Sequence, residues 1–511
     1  METVDSHDSL SRALAAIDAG GRGLALVVDD AGRLVGTLTD GDVRRHLLDG
    51  GSLEDPVSAV YNDKPLIARE GYDPAELRAA MRTRGVRFVP LLEDGRPVEL
   101  LALDELIVGL GDDRPAVLGG RPFFTEPVPV ARPTLPPYEE IEPDLRRALE
   151  SGMITNDAQV RSFEAEAAAY LGVEAERVVA LANCTTGLIL ALRTVESPGE
   201  VVMPSFTYFA TGLSAVWNGL TPVFCEARSG DFTLDAAAAE AAVGPETRAL
   251  TAVYTFGCPP PVDELRRIAD EAGIPLILDA AHAFGTRLGE RPAGTLGDIE
   301  VFSLSPTKPV TAAEGGLVVC RRRETAERLR LERNLGVLDS AVDPSRGLNG
   351  RLSELNAAVG RATLRHHEDN LARRHELVRF YKAGLGGLPG LTFQELAPDC
   401  RTTYKDFAVV VDERAFGLSR DELARALAAD NVAVKRYFSP PQHLQRRFEG
   451  VARSAGPLTR TEELARDVIC LPLWSHMERE TVEGVVGAVA RLHRARDEIR
   501  RRLETLGREL G

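Results

Sequence analysis

The sequence predicts an α/β chain: a large mixed-sheet domain and a small C-terminal α+β domain, preceded by an α+β repeat. Three observations carry this. Ile274-Pro275-Leu276-Ile277-Leu278 and Ile299-Glu300-Val301-Phe302-Ser303-Leu304 are short apolar runs of buried-strand length, leading to Asp279 and toward Lys308. Before about residue 120 a helix-strand-turn-strand pattern occurs twice. The chain has 511 residues, and at roughly 100–200 residues per domain three units are expected.

In the repeat, Leu24 to Val35 matches Phe88 to Val98 in pattern, each a strand, an Asp/Gly turn and a second strand. Amphipathic helices are predicted ahead of them, over Leu10 to Ile17 and Pro74 to Met81. This unit is expected to cover residues 1–118. Residues 119–129, rich in Gly and Pro, read as a linker without regular structure. The large domain is expected over 130–388 and the small one over 389–511, with a terminal amphipathic helix from Glu480 to Glu509.

Lys308 is one of five lysines in a chain where arginine carries nearly all the positive charge. An arginine would serve on a surface; only a lysine can lose its proton and condense with an aldehyde. In open α/β sheets ligands gather beyond the carboxyl ends of the strands, so Asp279 and Lys308 can face one cofactor. A carboxylate beside a pyridine nitrogen keeps that nitrogen protonated, which is what pyridoxal phosphate requires. Upstream, Asn183-Cys184-Thr185-Thr186-Gly187 opens a predicted helix, whose first N–H groups and dipole favour a phosphate. Taken alone, that turn is an ordinary helix cap, and a lone Asp at a strand end is a turn residue.

From about Val130 onward the chain resembles the DegT/StrS-like sugar aminotransferases, a branch of the fold-type I pyridoxal-phosphate enzymes. The matching segments are Arg132 to Pro136, Asn183 to Gly187, Pro204 to Tyr208, Asp279 to Ala283, Ser303 to Lys308, Glu314-Gly315-Gly316, Asn349 to Glu354 and Leu471-Pro472-Leu473 with His476. The resemblance implies that Lys308 holds the cofactor, Asp279 pairs with the ring nitrogen and His282 reaches the ring oxygen. It implies Tyr208 stacking on the ring and Thr185, Thr186 and Ser303 binding the phosphate. Asn349 would complete that site from a neighbouring subunit, so a homodimer with shared active sites is expected.

The implied reaction moves an amino group from an amino acid, usually glutamate, to a keto sugar on a nucleotide or to a keto cyclitol. Such reactions serve antibiotic or cell-surface sugar biosynthesis. The sequence departs from relatives in the stretch Ala252 to Cys258, which lacks a histidine they often carry, and at Asn156, where they tend to have glycine. The resemblance places both near the substrate. His443 and His476 read as ordinary hydrogen-bonded residues.

The N-terminal repeat resembles a tandem CBS domain, and Gly36-Thr37-Leu38-Thr39-Asp40-Gly41-Asp42 fits that family's Gly-x-x-Thr-x-x-Asp motif. The resemblance implies an adenosine nucleotide, with Thr39 at its phosphate or ribose and Asp42 at the ribose hydroxyls. The second repeat carries Glu99, Ala102 and Glu105 at the matching positions, so at most one intact site is expected. The plain alternative is that Thr39 and Asp42 only cap the following helix.

A net charge of −16 argues against nucleic-acid binding. Six cysteines without paired spacing suggest neither zinc nor a disulfide framework, and so a reducing, cytoplasmic setting. No signal pattern or membrane-spanning stretch is read. Two rivals remain at this stage. One is a pyridoxamine-dependent sugar dehydratase, in which histidine replaces the anchoring lysine. The other is a nucleotide-sensing scaffold with a decayed catalytic half.

Overall fold

The computed structural model describes residues 3–20, 23–69, 71–72, 77, 80–81, 83–86, 88–102, 114–338, 341–342 and 347–509. It separates into two units, Met1–Arg114 and Pro115–Gly511.

In the first unit, β1 (Thr3–Asp5) pairs parallel with β2 (Leu24–Val28), which pairs antiparallel with β3 (Leu34–Thr39). Helix α1 (Leu10–Gly20) buries Leu10, Ala13 and Ile17, spaced three and four apart, in one core with Ala25, Val27 and Leu38. Helix α2 (Asp40–Leu48) starts in a capping box formed by Thr39 and Asp42. The same connectivity recurs: β4 (Ala68–Arg69) is parallel to β5 (Phe88–Glu93), and β5 is antiparallel to β6 (Arg96–Ala102). The β5–β6 hairpin turns on Asp94 and Gly95, both at positive φ, the backbone that a two-residue hairpin turn demands. Leu34 N donates to Gly95 O at 2.9 Å, tying the repeats together. The second predicted helix lies partly outside the described residues; Leu77 and Met81 are helical and buried.

The second unit begins earlier than the sequence suggested, at Pro115. The expected linker, 119–129, is packed: Val128 is buried in the C-terminal core with Phe123 and Phe124 against it, and Leu118 just ahead of the linker is buried there too. Val128 N donates to Asn431 O at 2.8 Å, and Asn431 Nδ2 donates to Phe124 O at 2.7 Å. The glycines and prolines suggested a free segment, but Phe123, Phe124 and Val128 bury enough surface to dock it.

The large domain centres on a mixed sheet. Its strands are β7 (Val178–Leu181), β8 (Glu200–Pro204), β9 (Thr221–Cys225), β10 (Thr247–Val253), β11 (Leu276–Asp279), β12 (Ile299–Ser303) and β13 (Gly316–Cys320), with Arg453–Ser454 at one edge. They run in the spatial order Arg453–Ser454, β9, β8, β10, β11, β12, β13, β7. Pairing is parallel from the edge to β12, and β13 is antiparallel to both neighbours. Asp279 stands opposite Val301, Ser303 opposite Gly316, and Gly316 opposite Leu181. The register therefore gathers the carboxyl ends of β7, β11 and β12 with the start of β13 at one edge. Glu164, on α3 (Ala158–Leu171), accepts from Ala180 N and from Arg333 Nη1 at 2.6 Å; breaking such a buried pair costs about 3–5 kcal/mol.

The small domain carries a sheet of β14 (Leu391–Phe393), β15 (Phe407–Val411) and β16 (Val468–Leu471), ordered 14-15-16. Its core also takes Leu377, Val378, Tyr381 and Leu385 from the long helix His367–Leu385, so it draws on residues ahead of 389.

Candidate active site

At that gathered edge a cavity of about 350 Å³ is lined by residues from both domains, among them Thr185, Tyr208, Asp279, His282, Ser303 and Lys308. Six of the eight cofactor residues expected from sequence thus share one space. Thr186 does not line it: its N–H and hydroxyl both go to Asn183 Oδ1, at 2.8 and 3.0 Å, so it completes the helix cap. Asn349 is exposed outside the cavity, accepting from Arg351.

Asp279 ends β11 with its side chain buried. Oδ2 accepts from Thr211 Oγ1 at 2.7 Å and Oδ1 from Ala281 N at 3.1 Å. Burial pushes its proton affinity up, against the pull of these two donors and of the Lys308 charge. A cation beside it would relieve that cost, which is what a protonated pyridine nitrogen offers.

Lys308 follows the turn after β12 and is partly exposed through the cavity. Crowding by protein and then the nearby Lys405 charge bring its amine down to about 8, with Asp406, Cys184 and Asp279 opposing. About a tenth of the amine is therefore neutral and nucleophilic at pH 7, and about half at pH 8. Burial, Lys308 and Lys405 together hold the His282 ring well below the usual histidine range, so it is neutral. Its Nδ1 accepts from Phe256 N at 3.2 Å, which fixes the tautomer with the proton on Nε2.

Helix α4 (Cys184–Leu192) points its first turn at the cavity, with Cys184 and Thr185 among the lining residues. First-turn N–H groups have no intrahelical acceptor, which suits a phosphate. Gly316 makes this approach possible: a Cβ there would lie 2.6 Å from Asn183 C and 2.7 Å from Cys184 N. An amine, a buried carboxylate short of a cation, a neutral imidazole and a helix start fit pyridoxal phosphate in every functional group.

Sequence reasoning missed several residues. Thr211, on α5 (Phe209–Trp217), and Thr207 form the hydroxyl chain behind Asp279. Lys405, Tyr437 and Phe438 line the cavity from the small domain. The rarity of lysine, which singled out Lys308, applied equally to Lys405. Of the two departures from relatives, the stretch Ala252 to Cys258 is buried and does not line the cavity, with the Tyr254 hydroxyl donating to Glu300 Oε2 at 3.0 Å. Asn156 has φ 54°, a left-handed backbone that explains glycine at this place, and it does not line the cavity.

Thr39 and Asp42 line a second cavity, of about 500 Å³, in the first unit, with Thr37, Arg45, Asn62 and Phe88 also on its wall. They also cap α2, as the plain reading had it, Thr39 Oγ1 donating to Asp42 Oδ2 at 2.6 Å. Glu99 and Ala102 do not line that cavity, and Glu105 lies outside the described residues. Among the described residues there is no cluster of potential metal ligands, and no helix is long and apolar enough to cross a membrane.

Comparison with known proteins agrees with this geometry. The family model for the DegT/DnrJ/EryC1/StrS aminotransferases matches residues 138–490, and that for the CBS domain matches residues 1–49. A dTDP-3-amino-3,4,6-trideoxy-alpha-D-glucose transaminase of Streptomyces venezuelae is 37% identical over 69% of this chain and 93% of its own. A dTDP-4-amino-4,6-dideoxy-D-glucose transaminase of Escherichia coli is 30% identical over 70% and 96%. Among solved structures, DesI with its TDP-sugar product has a TM-score of 0.71 at 36% identity, covering 76% of this chain and 98% of that one. DesV of S. venezuelae, in complex with a ketimine intermediate, has a TM-score of 0.67 at 35% identity, covering 72% and 99%. The chain belongs to the DegT/DnrJ/EryC1/StrS aminotransferase family, pyridoxal-phosphate enzymes, and carries a CBS domain at its N-terminus.

Proposed function

We propose that this aminotransferase moves an amino group from an amino acid, glutamate first among candidates, to a keto sugar carried on a nucleoside diphosphate. The observation that carries the reading is the meeting of Lys308 and Asp279 in one cavity at the carboxyl edge of the sheet. The sugar-nucleotide names of the relatives support the acceptor class.

Pyridoxal phosphate, when bound, supplies an aldehyde that accepts the amino group and a ring that draws electrons from the substrate carbon. The residues of this chain do the rest. Lys308 Nζ anchors the cofactor, then serves as the base that takes the donor's α-proton and returns it. Asp279 would keep the ring nitrogen protonated, and His282 would donate from Nε2 toward the ring oxygen. Tyr208 would lie on the side of the ring, and Thr185, Ser303 and the start of α4 would hold the phosphate. The dehydratase rival does not suit this site, since Lys308 occupies the anchoring place.

The active unit in this reading is a homodimer. Tyr138, Leu149, Met153, Ile154, Trp217 and Leu335 are exposed large apolar residues of the second unit, the kind of surface a second copy covers. Asn349, exposed outside its own cavity with its Oδ1 taken by Arg351, would offer its amide N–H groups to a partner's phosphate. Light scattering tests the assembly, and N349A weakens cofactor retention in it.

The first unit binds an adenosine nucleotide in its 500 Å³ cavity, at Thr39 and Asp42. Calorimetry with AMP, ATP and S-adenosylmethionine tests this. For the main reading, glutamate converts the bound cofactor to its amine form, and a panel of keto sugars, with and without nucleotide, is scored for converting it back. Failure of every keto sugar to do so overturns the acceptor assignment.

A further inference from the structure

We propose that Lys405 is the carboxylate-binding residue of the active site, holding the acid group of a substrate while Lys308 performs its proton transfer. The proposal rests on the aminotransfer reading above and adds a specificity residue to it.

Two of the chain's five lysines line this one cavity, and among the described residues no arginine does. With Lys308 committed to the cofactor, Lys405 is the remaining lining cation among the described residues. It sits just ahead of β15, in a segment that is pinned over the site: Thr403 Oγ1 donates to the carbonyl of His282. The Lys405 side chain is 3% exposed, and its Nζ donates to Asp406 Oδ1 at 2.8 Å. The ammonium also lies 5.6 Å from the centroid of Tyr437, another lining residue.

An ammonium has three N–H donors, and Asp406 takes one. A buried ammonium with donors to spare favours an anion strongly, because little water competes for it. The amino donor brings a carboxylate on the carbon that must lose its proton. That carboxylate needs a cation within a residue's reach of Lys308, and Lys405 lies close enough for its charge to depress the Lys308 amine. An acidic acceptor sugar would present the same chemistry.

A purely structural role, in which Lys405 only neutralises Asp406, makes a different prediction. Removing both charges together, as in K405M/D406N, would then leave ligand binding intact. The test is calorimetric titration of the cofactor-loaded protein with glutarate, an unreactive dicarboxylate, in wild type, K405M, K405M/D406N and K405R. The proposal expects the glutarate Kd to rise at least tenfold in K405M and in the double variant, with partial recovery in K405R. A Kd within twofold of wild type in either folded methionine variant overturns it.

Two further arms separate the source of the carboxylate. A matching rise in the glutamate concentration that half-converts the cofactor assigns Lys405 to the donor. Loss confined to acidic keto sugars, with neutral ones unaffected, assigns it to the acceptor. If wild type converts with no amino acid, the aminotransfer reading fails, and the glutarate titration still decides the role of Lys405.

Discussion

Thr211 Oγ1 donates to Asp279 Oδ2 at 2.7 Å within the buried wall of the active-site cavity. The hydroxyl donor holds the ionised carboxyl more strongly than the neutral acid, so Thr211 helps to keep charged a group that burial would otherwise neutralise. Thr207, hydroxyl to hydroxyl with Thr211 at 3.2 Å, extends the chain behind it.

Replacing Thr211 with valine removes that donor at nearly constant volume. A hydrogen bond to a charged group contributes about 1.5–3 kcal/mol, so losing it raises the pH at which Asp279 takes its proton. Because the ionised form is the active one, the acid limb of the turnover profile moves to higher pH in T211V and stays in place in T211S. An unmoved limb in T211V contradicts the role given to Asp279.

Lys308 must be neutral to capture its cofactor, and its amine sits at about 8. The rate of cofactor capture by the apoprotein therefore rises as pH increases through about 8 and levels off above it. Taking away the neighbouring cation in K405M makes the protonated amine easier to hold, so the midpoint moves up. Stopped-flow absorbance across pH measures both; a wild-type midpoint near 10.4, the ordinary lysine value, contradicts the environment described.

Gly316 and Gly315 give contrasting outcomes. A Cβ at 316 meets backbone atoms of Asn183 and Cys184 at 2.6–2.8 Å, whereas one at 315 meets the side chains of Leu304 and Leu352 at 3.3 Å. G316A lowers stability by about 1–3 kcal/mol, as overpacking does, and displaces the helix start from the phosphate. G315A has a smaller effect on both. Urea unfolding and cofactor retention on dialysis report the difference.

Much of the site was legible because chemistry-bearing residues were tied to strand ends. Asp279 and Lys308 follow apolar runs, and the register of β11 against β12 carries them to one edge. Lys405 and Tyr437 were not, because they reach the cavity from the small domain, and tertiary packing alone brings residues 97 and 129 positions beyond Lys308 to its side. Thr211 was hidden as well, since a threonine in the first turn of an apolar helix gives no sign of what it faces. The Gly/Pro-rich segment 119–129 misled for a related reason: its punctuation suggested freedom, while Phe123, Phe124 and Val128 dock on a core assembled from residues about 300 positions away.

The covalent anchoring of the cofactor by the amine of Lys308 is the central claim, and visible absorbance of purified protein tests it most directly. Wild type incubated with pyridoxal phosphate and freed of excess retains a visible band that borohydride fixes to the peptide containing residue 308, while K308A retains none and does not turn over. A band and turnover that both survive in K308A would contradict the account.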